Sequence, residues 1–286
     1  MEKQKKQSQF KEVWRRLKKS KPAMFGLIVL SLLILTALFA EQIIPYKKAL
    51  EMNAAIRLKP PSLEHIFGTD AYGRDLFARV LHGGRRSLLI GFGATAGALF
   101  FGWIIASIVS YYGTRVDNLL MRLMDIIAAV PMTLMALAVV SALGPTLQNL
   151  IIAIAFARIP TFARIIRSSM LSVVDAEYIE AAHAGGAGAL RIILKHITPN
   201  VSGTMIVQTT MATAQLILIA ASLSFLGLGV QLPTPEWGAL LSEAREFMRT
   251  TPLLMVFPGI FMVLTSLSLN LLGDGLRDAL DPKLKS

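Results

Sequence analysis

The segment EYIEAAHAGGAGALRIILKHITPN, residues 177–200, is a polar, helix-forming stretch between long apolar runs, and we call it the polar island. A helix needs about 20 mostly apolar residues to cross a bilayer, whereas the island carries Glu180 and Lys195. Its small residues, among them Ala181 and Ala182, let a second body approach closely, and the acid near its start can bind donors on that body. The polar island is therefore predicted to be a docking surface.

The composition of the chain is typical of a polytopic membrane protein. It is 54% hydrophobic and 16% charged, with a mean hydropathy of +0.57, whereas soluble domains have about 25% charged residues. Residues 1–21 hold nine Lys and Arg against two acids. In a membrane protein this excess marks the cytoplasmic side and contacts anionic lipids, so we predict no nucleic-acid partner. The chain has no Cys, which excludes disulfides, thiol catalysis and thiolate metal sites.

Hydropathy predicts an all-α protein with six membrane spans. The fourth span contains Arg158 and Pro160, and the third contains Pro131. We expect Arg158, Arg164 and Arg167 to lie at the membrane edge, where long side chains reach water. The predicted spans are residues 23–44, 87–112, 125–143, 147–166, 202–226 and 252–272.

The first two spans contain features beyond length and hydropathy. The first is longer than the roughly 7–15 apolar residues of a signal peptide, so we predict that it is retained rather than cleaved. The second contains Gly93 and Gly97, a spacing that allows close packing of helices in lipid.

The basic residues predict the orientation of the chain. Residues 1–22 form a basic cytoplasmic segment, so six crossings place both termini and the polar island inside. Residues 45–86 and 227–251 then form external loops. The first external loop carries eight basic residues, against the rule that positive charge stays inside. We keep it outside because the N-terminal cluster is denser.

Signatures of enzymes and ion-coupled carriers are missing from the sequence. The glycines of residues 185–188 follow no strand and precede no GxxxxGK[ST], so they predict a turn between two short helices rather than a phosphate site. The four histidines match no metal-site spacing. No acid lies in the middle of a predicted span, which argues against a proton- or sodium-coupled carrier. An ion-coupled carrier and a membrane scaffold are kept as two alternative functions for this chain.

Four segments of the sequence resemble those of a known protein family. The polar island resembles the EAA loop of bacterial ABC importer permeases: Glu180, Ala181 and Ala182 are followed at the expected spacing by Gly186 and Pro199, although His196 and Thr198 depart from the pattern. Three further segments resemble dipeptide, oligopeptide and nickel permeases, and match the second, shorter permease of the usual pair. They are residues 67–91 (with GTD-x-x-GRD), 223–237 (LSFLGLGVQLPTPEW) and 270–282 (NLLGDGLRDALDP).

The resemblance implies the type I ABC importer permease fold over residues 23–286, in a bacterial cytoplasmic membrane. It implies as partners a second homologous permease, two cytoplasmic ATPases that bind ATP and Mg, and an extracytoplasmic binding protein. This chain then has no ATPase site and no cofactor of its own. The coupling loop covers about residues 167–200, and its ATPase-coupling residues are Glu180, Ala181, Ala182 and Gly186.

Two interpretations stay open for Asp70, Arg74 and Asp75 in the first external loop. In the first, they contact the binding protein or line the external mouth. In the second, they form a salt-bridge network that closes the loop. Trp237 is interpreted as an aromatic anchor at the membrane interface or as a binding-protein contact.

The substrate also stays open. Short peptides are preferred, with nickel, a metal chelate or glutathione as alternatives. No cluster of acids, thiols or histidines lines any predicted span, which argues against a site that binds a bare metal ion. Polar side chains of the fifth span are predicted to line a permissive, uncharged path or to join helices by hydrogen bonds. They are Gln208, Thr209, Thr210, Thr213 and Gln215.

Overall fold

The computed structural model describes residues 9–280, so only the end of the predicted basic segment 1–22 is described. This part of the chain is helical apart from its connections, with two 3-10 turns (Ala54–Ile56 and Arg245–Phe247) and a π-helical turn (Ile193–Ile197). The α-helices are α1 (Gln9–Leu17), α2 (Lys21–Leu38), α3 (Ala40–Ile43), α4 (Tyr46–Leu50), α5 (Leu76–Tyr112), α6 (Thr114–Ala128), α7 (Met132–Leu143), α8 (Leu147–Leu171), α9 (Glu177–Ala184), α10 (Ala189–Ile192), α11 (Thr198–Phe225), α12 (Trp237–Ala244) and α13 (Leu253–Leu280).

Five helical segments in the described chain are long and apolar enough to cross a membrane: α2, α5, α8, α13 and the continuous segment 189–225 that contains α11. The helices α6 and α7 pass the same test together but meet at a bend of 82°. Counted as one broken span, the pair brings the number to six. The prediction of an all-α, six-span membrane protein is confirmed.

The second span begins earlier than predicted. Its helix α5 starts at Leu76 rather than near residue 87, so the end of the predicted external loop is helical. The carboxylate of Asp75 caps the helix by accepting a hydrogen bond from the backbone N–H of Ala78 at 2.8 Å. Hydropathy misses this first part because it carries charged side chains, of which Arg79 is compensated by ion pairs in the folded chain.

The bend between α6 and α7 lies where Pro131 precedes α7. Proline has no N–H to continue the helical hydrogen bonds. Near the C-terminal end of α8, Arg164 forms an ion pair with Asp125 of α6 at 2.8 Å. Near the N-terminal end, Leu150 belongs to the same buried cluster as Val140 of α7. The broken pair therefore follows α8 from one end to the other, as a crossing segment does.

Small residues let α5 and α8 pack closely, as the spacing of Gly93 and Gly97 predicts. A methyl group on Gly97 would lie 3.2 Å from the Cβ of Ala155, and one on Gly102 would lie 2.6 Å from the Cβ of Phe162. Any side chain at Gly102 would therefore push the two helices apart. The structure identifies α8 as the helix that packs against these glycines, which the sequence alone did not determine.

The helix bundle has two distinct ends. At one end, Phe67 of the loop before α5 stacks on Phe257 of α13, with ring centroids 4.0 Å apart. At the opposite end, the island residue Ile179 joins a buried cluster formed where α5 and α8 end and α11 begins. Leu17 of α1 and Ala279 of α13 pack together, also at this second end. The island and the described chain ends therefore share one side of the bundle.

Candidate functional site

The polar island folds as two short helices and a π-helical turn held against the bundle. Ile179 of α9 and Ile192 of α10 are almost completely buried. Both belong to the cluster that contains Ile166 of α8. The ring of His183 stacks on Tyr111 at the end of α5, with centroids 5.6 Å apart. These contacts fix the island relative to three spans.

The glycines of the island end a helix, as the sequence predicts. The backbone N–H of Gly186 donates to the carbonyl of His183 at 2.9 Å, and that of Ala187 donates to the carbonyl of Ala182 at 3.0 Å. This pair of bonds is the Schellman motif, which places its αL residue just after the helix. Gly186 occupies that position with φ +76°, where a residue with a Cβ is strained.

One face of the island is turned away from the bundle. The predicted coupling residues Glu180 and Ala181 are exposed, whereas Ala182 is half-buried and packs against the core cluster. The expectation that Ala182 lets a second body approach closely is therefore corrected, because its side chain packs against the bundle and anchors α9. Leu190 is 70% exposed and Leu194 is 45% exposed. An acid, a small residue and two leucines thus form a surface without a partner in the described chain.

The opposite end of the bundle contains a buried ion network. Arg74 and Arg79 are each only 1% exposed. The Nε of Arg74 donates to Asp70 at 2.6 Å, and the Nη2 of Arg79 donates to Glu243 at 2.7 Å. Arg74 also pairs with Glu243, and Arg79 with Asp70. Two guanidinium groups and two carboxylates therefore form a closed, electrically neutral set.

The turn that carries this network depends on Gly73. Its φ is +74°, and a Cβ there would collide with the backbone of Asn53. The backbone N–H of Gly73 donates to the carbonyl of Asp70 at 3.0 Å, and that of Asn53 donates to the carbonyl of Tyr72 at 3.1 Å. The GTD-x-x-GRD segment is thus a tight turn that aims an acid and a base inward.

The other external residues singled out from the sequence are also buried. Asp75 caps α5 and is hydrogen-bonded to His65, whose Nδ1 lies 2.9 Å from its Oδ2. Trp237 is 2% exposed, and its indole N–H donates to the carbonyl of Val80 at 2.9 Å. The interpretation of Trp237 as an anchor at the membrane interface is wrong, because the ring fills the space above Gly84 in the core.

Sequence reasoning missed Arg79, Glu236 and Glu243. Glu236 is 1% exposed and accepts from the hydroxyl of Ser87 at 2.8 Å, and it caps α12 through the N–H of Gly238 at 2.9 Å. An acid directly before an apolar helical run is a recognisable capping signal. Arg79 and Glu243 had no such local signal, because they meet across 164 residues of chain.

Arg158 occupies an unexpected position. It lies close to the middle of α8. The expectation that Arg158 lies at the membrane edge is therefore wrong. Arg164 and Arg167 lie near the C-terminal end of the same helix. Its Nη2 donates to the Oε1 of Gln215 in α11 at 2.9 Å. Gln215 is one of the predicted polar residues of the fifth span, so this face of α11 carries a positive charge and is not uncharged as expected.

The threonines of the fifth span form hydrogen bonds within and between helices. Thr213 is completely buried and donates to the hydroxyl of Thr95 in α5 at 3.1 Å, so it joins two helices. Thr209 and Thr210 donate to carbonyls of their own helix. Among the described residues, no group of three or more His, Cys, Asp or Glu is arranged to hold a metal ion.

Six crossings, a short helical island fixed to three spans and an opposite end closed by loops define the architecture of the described chain. The structure is similar to two inward-facing structures of the MetNI methionine ABC transporter. The first has a TM-score of 0.57 and 17% identity, and the match covers 71% of this chain and 97% of that one. The second has a TM-score of 0.52 and 18% identity, covering 68% and 95%.

The sequence comparisons define the family. Residues 98–286 match the "Binding-protein-dependent transport system inner membrane component" family, and residues 8–61 match the "N-terminal TM domain of oligopeptide transport permease C". The chain belongs to the binding-protein-dependent transport system inner membrane components, a family of multi-pass permeases, and the resemblance inferred from the residues is confirmed.

Three relatives of known name are similar over almost their whole length. The dipeptide transport system permease protein DppC of Alkalihalophilus pseudofirmus is 48% identical over 98% of this chain and 91% of its own. The di/tripeptide transport system permease protein DppC of Pseudomonas aeruginosa is 40% identical over 98% and 94%. The glutathione transport system permease protein GsiD of Escherichia coli O6:K15:H31 is 44% identical over 96% and 90%.

Proposed function

We propose that this chain is one of two permease subunits of an ATP-driven importer that moves short peptides into the cytoplasm. The printed names of its relatives support the substrate class: they are permeases for dipeptides, di- and tripeptides, and glutathione, which is itself a short peptide. A nickel or metal-chelate substrate is disfavoured by the same names.

The exposed face of the polar island is the observation that carries the coupling role. Glu180 offers a carboxylate to basic or hydroxyl donors, while Ala181 allows close approach. Leu190 is 70% exposed on a segment that is predicted to face the cytoplasm, and exposed apolar groups of this kind mark interaction sites. A groove on a cytoplasmic ATPase is the proposed partner, with one ATPase for each permease. The ATPases bind ATP and Mg, and this chain hydrolyses nothing.

The orientation follows from placing the island on the ATPase side. Both chain termini then lie in the cytoplasm, because the described chain ends pack at the same end of the bundle as the island. The loops 45–86 and 227–251 meet at the other end through the Arg79–Glu243 ion pair and face outward. There they form a rigid platform for an extracytoplasmic binding protein.

The buried ion network has a supporting role in this proposal. Asp70, Arg74, Asp75 and Trp237 have their side chains enclosed within the chain. We therefore assign them to shaping the external platform, and leave direct binding-protein contact to exposed neighbours such as Tyr72, which is 46% exposed.

Substitution of Glu180 by Ala tests the coupling role. Loss of one charge-assisted hydrogen bond costs about 1.5–3 kcal/mol, which corresponds to roughly 10- to 150-fold weaker ATPase docking. We expect poor recovery of the ATPases with a tagged permease and reduced ATP-dependent peptide uptake. Glu246→Ala is the control, because Glu246 is an exposed acid at the opposite end of the bundle.

Gly186 provides a second test of the same surface. Alanine there is strained by about 1–2 kcal/mol because φ is positive, and it would shift the turn that orients Glu180. No atom of the described chain lies within 4 Å of the added methyl group. A larger side chain at this position would therefore clash only with a docked partner. Gly188→Ala is the control, since φ there is −70°. Normal uptake by both Glu180→Ala and Gly186→Ala would refute the coupling role.

A further inference from the structure

Arg158 is a charged residue at the middle depth of the bundle. It lies 11 residues after the start of α8 at Leu147, and its partner Gln215 lies 10 residues before the end of α11 at Phe225. At about 1.5 Å per residue, each position is roughly 15 Å from the same end of the bundle. A charge at this depth is unfavourable in lipid, so it faces the protein interior or a water-filled path.

The polarity of the residues exposed on a span indicates whether that side of the helix contacts lipid or a more polar environment. Over residues 253–267 of α13 the exposed residues are all apolar: they are Leu253, Val256, Ile260, Val263 and Leu267. The corresponding stripe on α11 is mixed, and four of its six residues are polar. It consists of the exposed Thr204, Gln215, Leu218 and Ser222 and the half-buried Gln208 and Met211, at alternating spacings of four and three.

Because residues at these spacings share one side of a helix, α11 presents a face with polar residues along its length that the described chain covers only in part. The apolar stripe of α13 suits contact with lipid, whereas the stripe of α11 does not. Arg158 adds the positive charge at the middle of that face, through its hydrogen bond to Gln215.

We propose that Arg158 and Gln215 form a binding site for a carboxylate of the solute, half-way along the translocation path. This assignment rests on the proposed import of peptides and adds a recognition element to it. Every unmodified peptide carries a C-terminal carboxylate whatever its sequence. A single cation at mid-depth therefore attracts all members of a varied substrate class without selecting among their side chains.

The donor chemistry of the pair fits a carboxylate. A guanidinium has five N–H donors in a planar fork that matches the two oxygens of a carboxylate. In the described residues Arg158 donates one hydrogen bond, to the Oε1 of Gln215, and its Nε has no acceptor. The amide nitrogen of Gln215 supplies additional N–H donors beside it. No acidic side chain of the described residues pairs with Arg158, so its charge is available to a ligand.

Peptide uptake by the complete transporter in liposomes is the first test. Arg158→Gln is expected to lower uptake per assembled complex about tenfold or more, the loss that corresponds to one charge-assisted hydrogen bond. Arg158→Lys retains the charge without the fork, so an intermediate loss is expected. Arg164→Gln, an exposed arginine two turns further along α8 that pairs with Asp125, is the control and is expected to stay within about twofold of the unmodified chain.

Cysteine labelling gives a readout that is independent of transport. The chain has no Cys, so Leu218→Cys, one turn from Gln215 on the same face, reports local water and charge in membranes that contain the complete transporter. Anionic and cationic thiosulfonate reagents are expected to react there, and adding Arg158→Gln should lower the anionic-to-cationic rate ratio about fivefold. Val263→Cys on the apolar stripe of α13 should react with neither reagent.

The outcomes separate the two proposals. If the unmodified transporter shows no binding-protein-dependent peptide uptake, the proposed function fails, and the labelling ratio still decides whether Arg158 forms an anion-attracting site. If peptide uptake is normal and Arg158→Gln changes neither uptake nor the labelling ratio, the carboxylate site is overturned. Uptake that falls only in proportion to lost assembly of the complex also overturns it, because Arg158 is then a structural link between α8 and α11.

Discussion

Replacing Glu243 by Gln is expected to destabilise the end of the bundle opposite the polar island. Glu243 accepts hydrogen bonds from Arg79 at 2.7 and 2.8 Å and also pairs with Arg74. Both arginines are only 1% exposed. The substitution keeps the shape of the side chain but leaves two buried guanidinium groups facing one carboxylate, that of Asp70.

The size of the effect follows from the cost of an uncompensated buried charge. Removing one partner of a buried ion pair costs about 3–5 kcal/mol, because the remaining charge has lost both its partner and its water. For a chain of this size, 1 kcal/mol corresponds to a change in melting temperature of roughly 2–4 °C. Glu243→Gln is therefore expected to lower the melting temperature by at least about 6 °C.

The assay is thermal unfolding of the detergent-solubilised transporter, followed by the loss of the monodisperse complex. Glu246→Gln is the matched control, since Glu246 is an exposed acid one turn away, and little change is expected. The double variant Arg79→Met with Glu243→Met leaves the neutral pair of Arg74 and Asp70, so it should recover much of the lost stability. Equal melting temperatures for Glu243→Gln and Glu246→Gln would refute the argument from buried charge.

Two further predictions concern orientation and substrate. A single cysteine at Ser62 should react with a membrane-impermeant reagent only from outside the cell, because the first external loop faces outward; labelling only from the cytoplasm would reverse the topology and remove the docking role of the polar island. Deletion of the gene should abolish uptake of labelled di- to pentapeptides and leave uptake of nickel and metal chelates intact. Unchanged peptide uptake with a collapse of chelate uptake would transfer the chain to the metal-transporting branch.

Much of the architecture could be predicted from local sequence properties. Apolar runs located the spans, because each must bury its backbone polar groups within one helix. The short helices and glycine turn of the polar island were also predicted, since Gly186 is suited to an αL helix end whatever surrounds it. The ends of spans were less accurate: α5 extends to Leu76, and hydropathy excluded its charged first turns.

Other features appear only when the chain is folded. Asp70 and Arg74 were visible as a motif, but the choice between an exposed contact and a buried network depended on Glu243, a residue 169 positions from Arg74. The same applies to the mid-depth position of Arg158 and its hydrogen bond to Gln215. Hydropathy and helix propensity depend on neighbours within a few residues, whereas the burial and neutralisation of a charge depend on which distant segments pack around it.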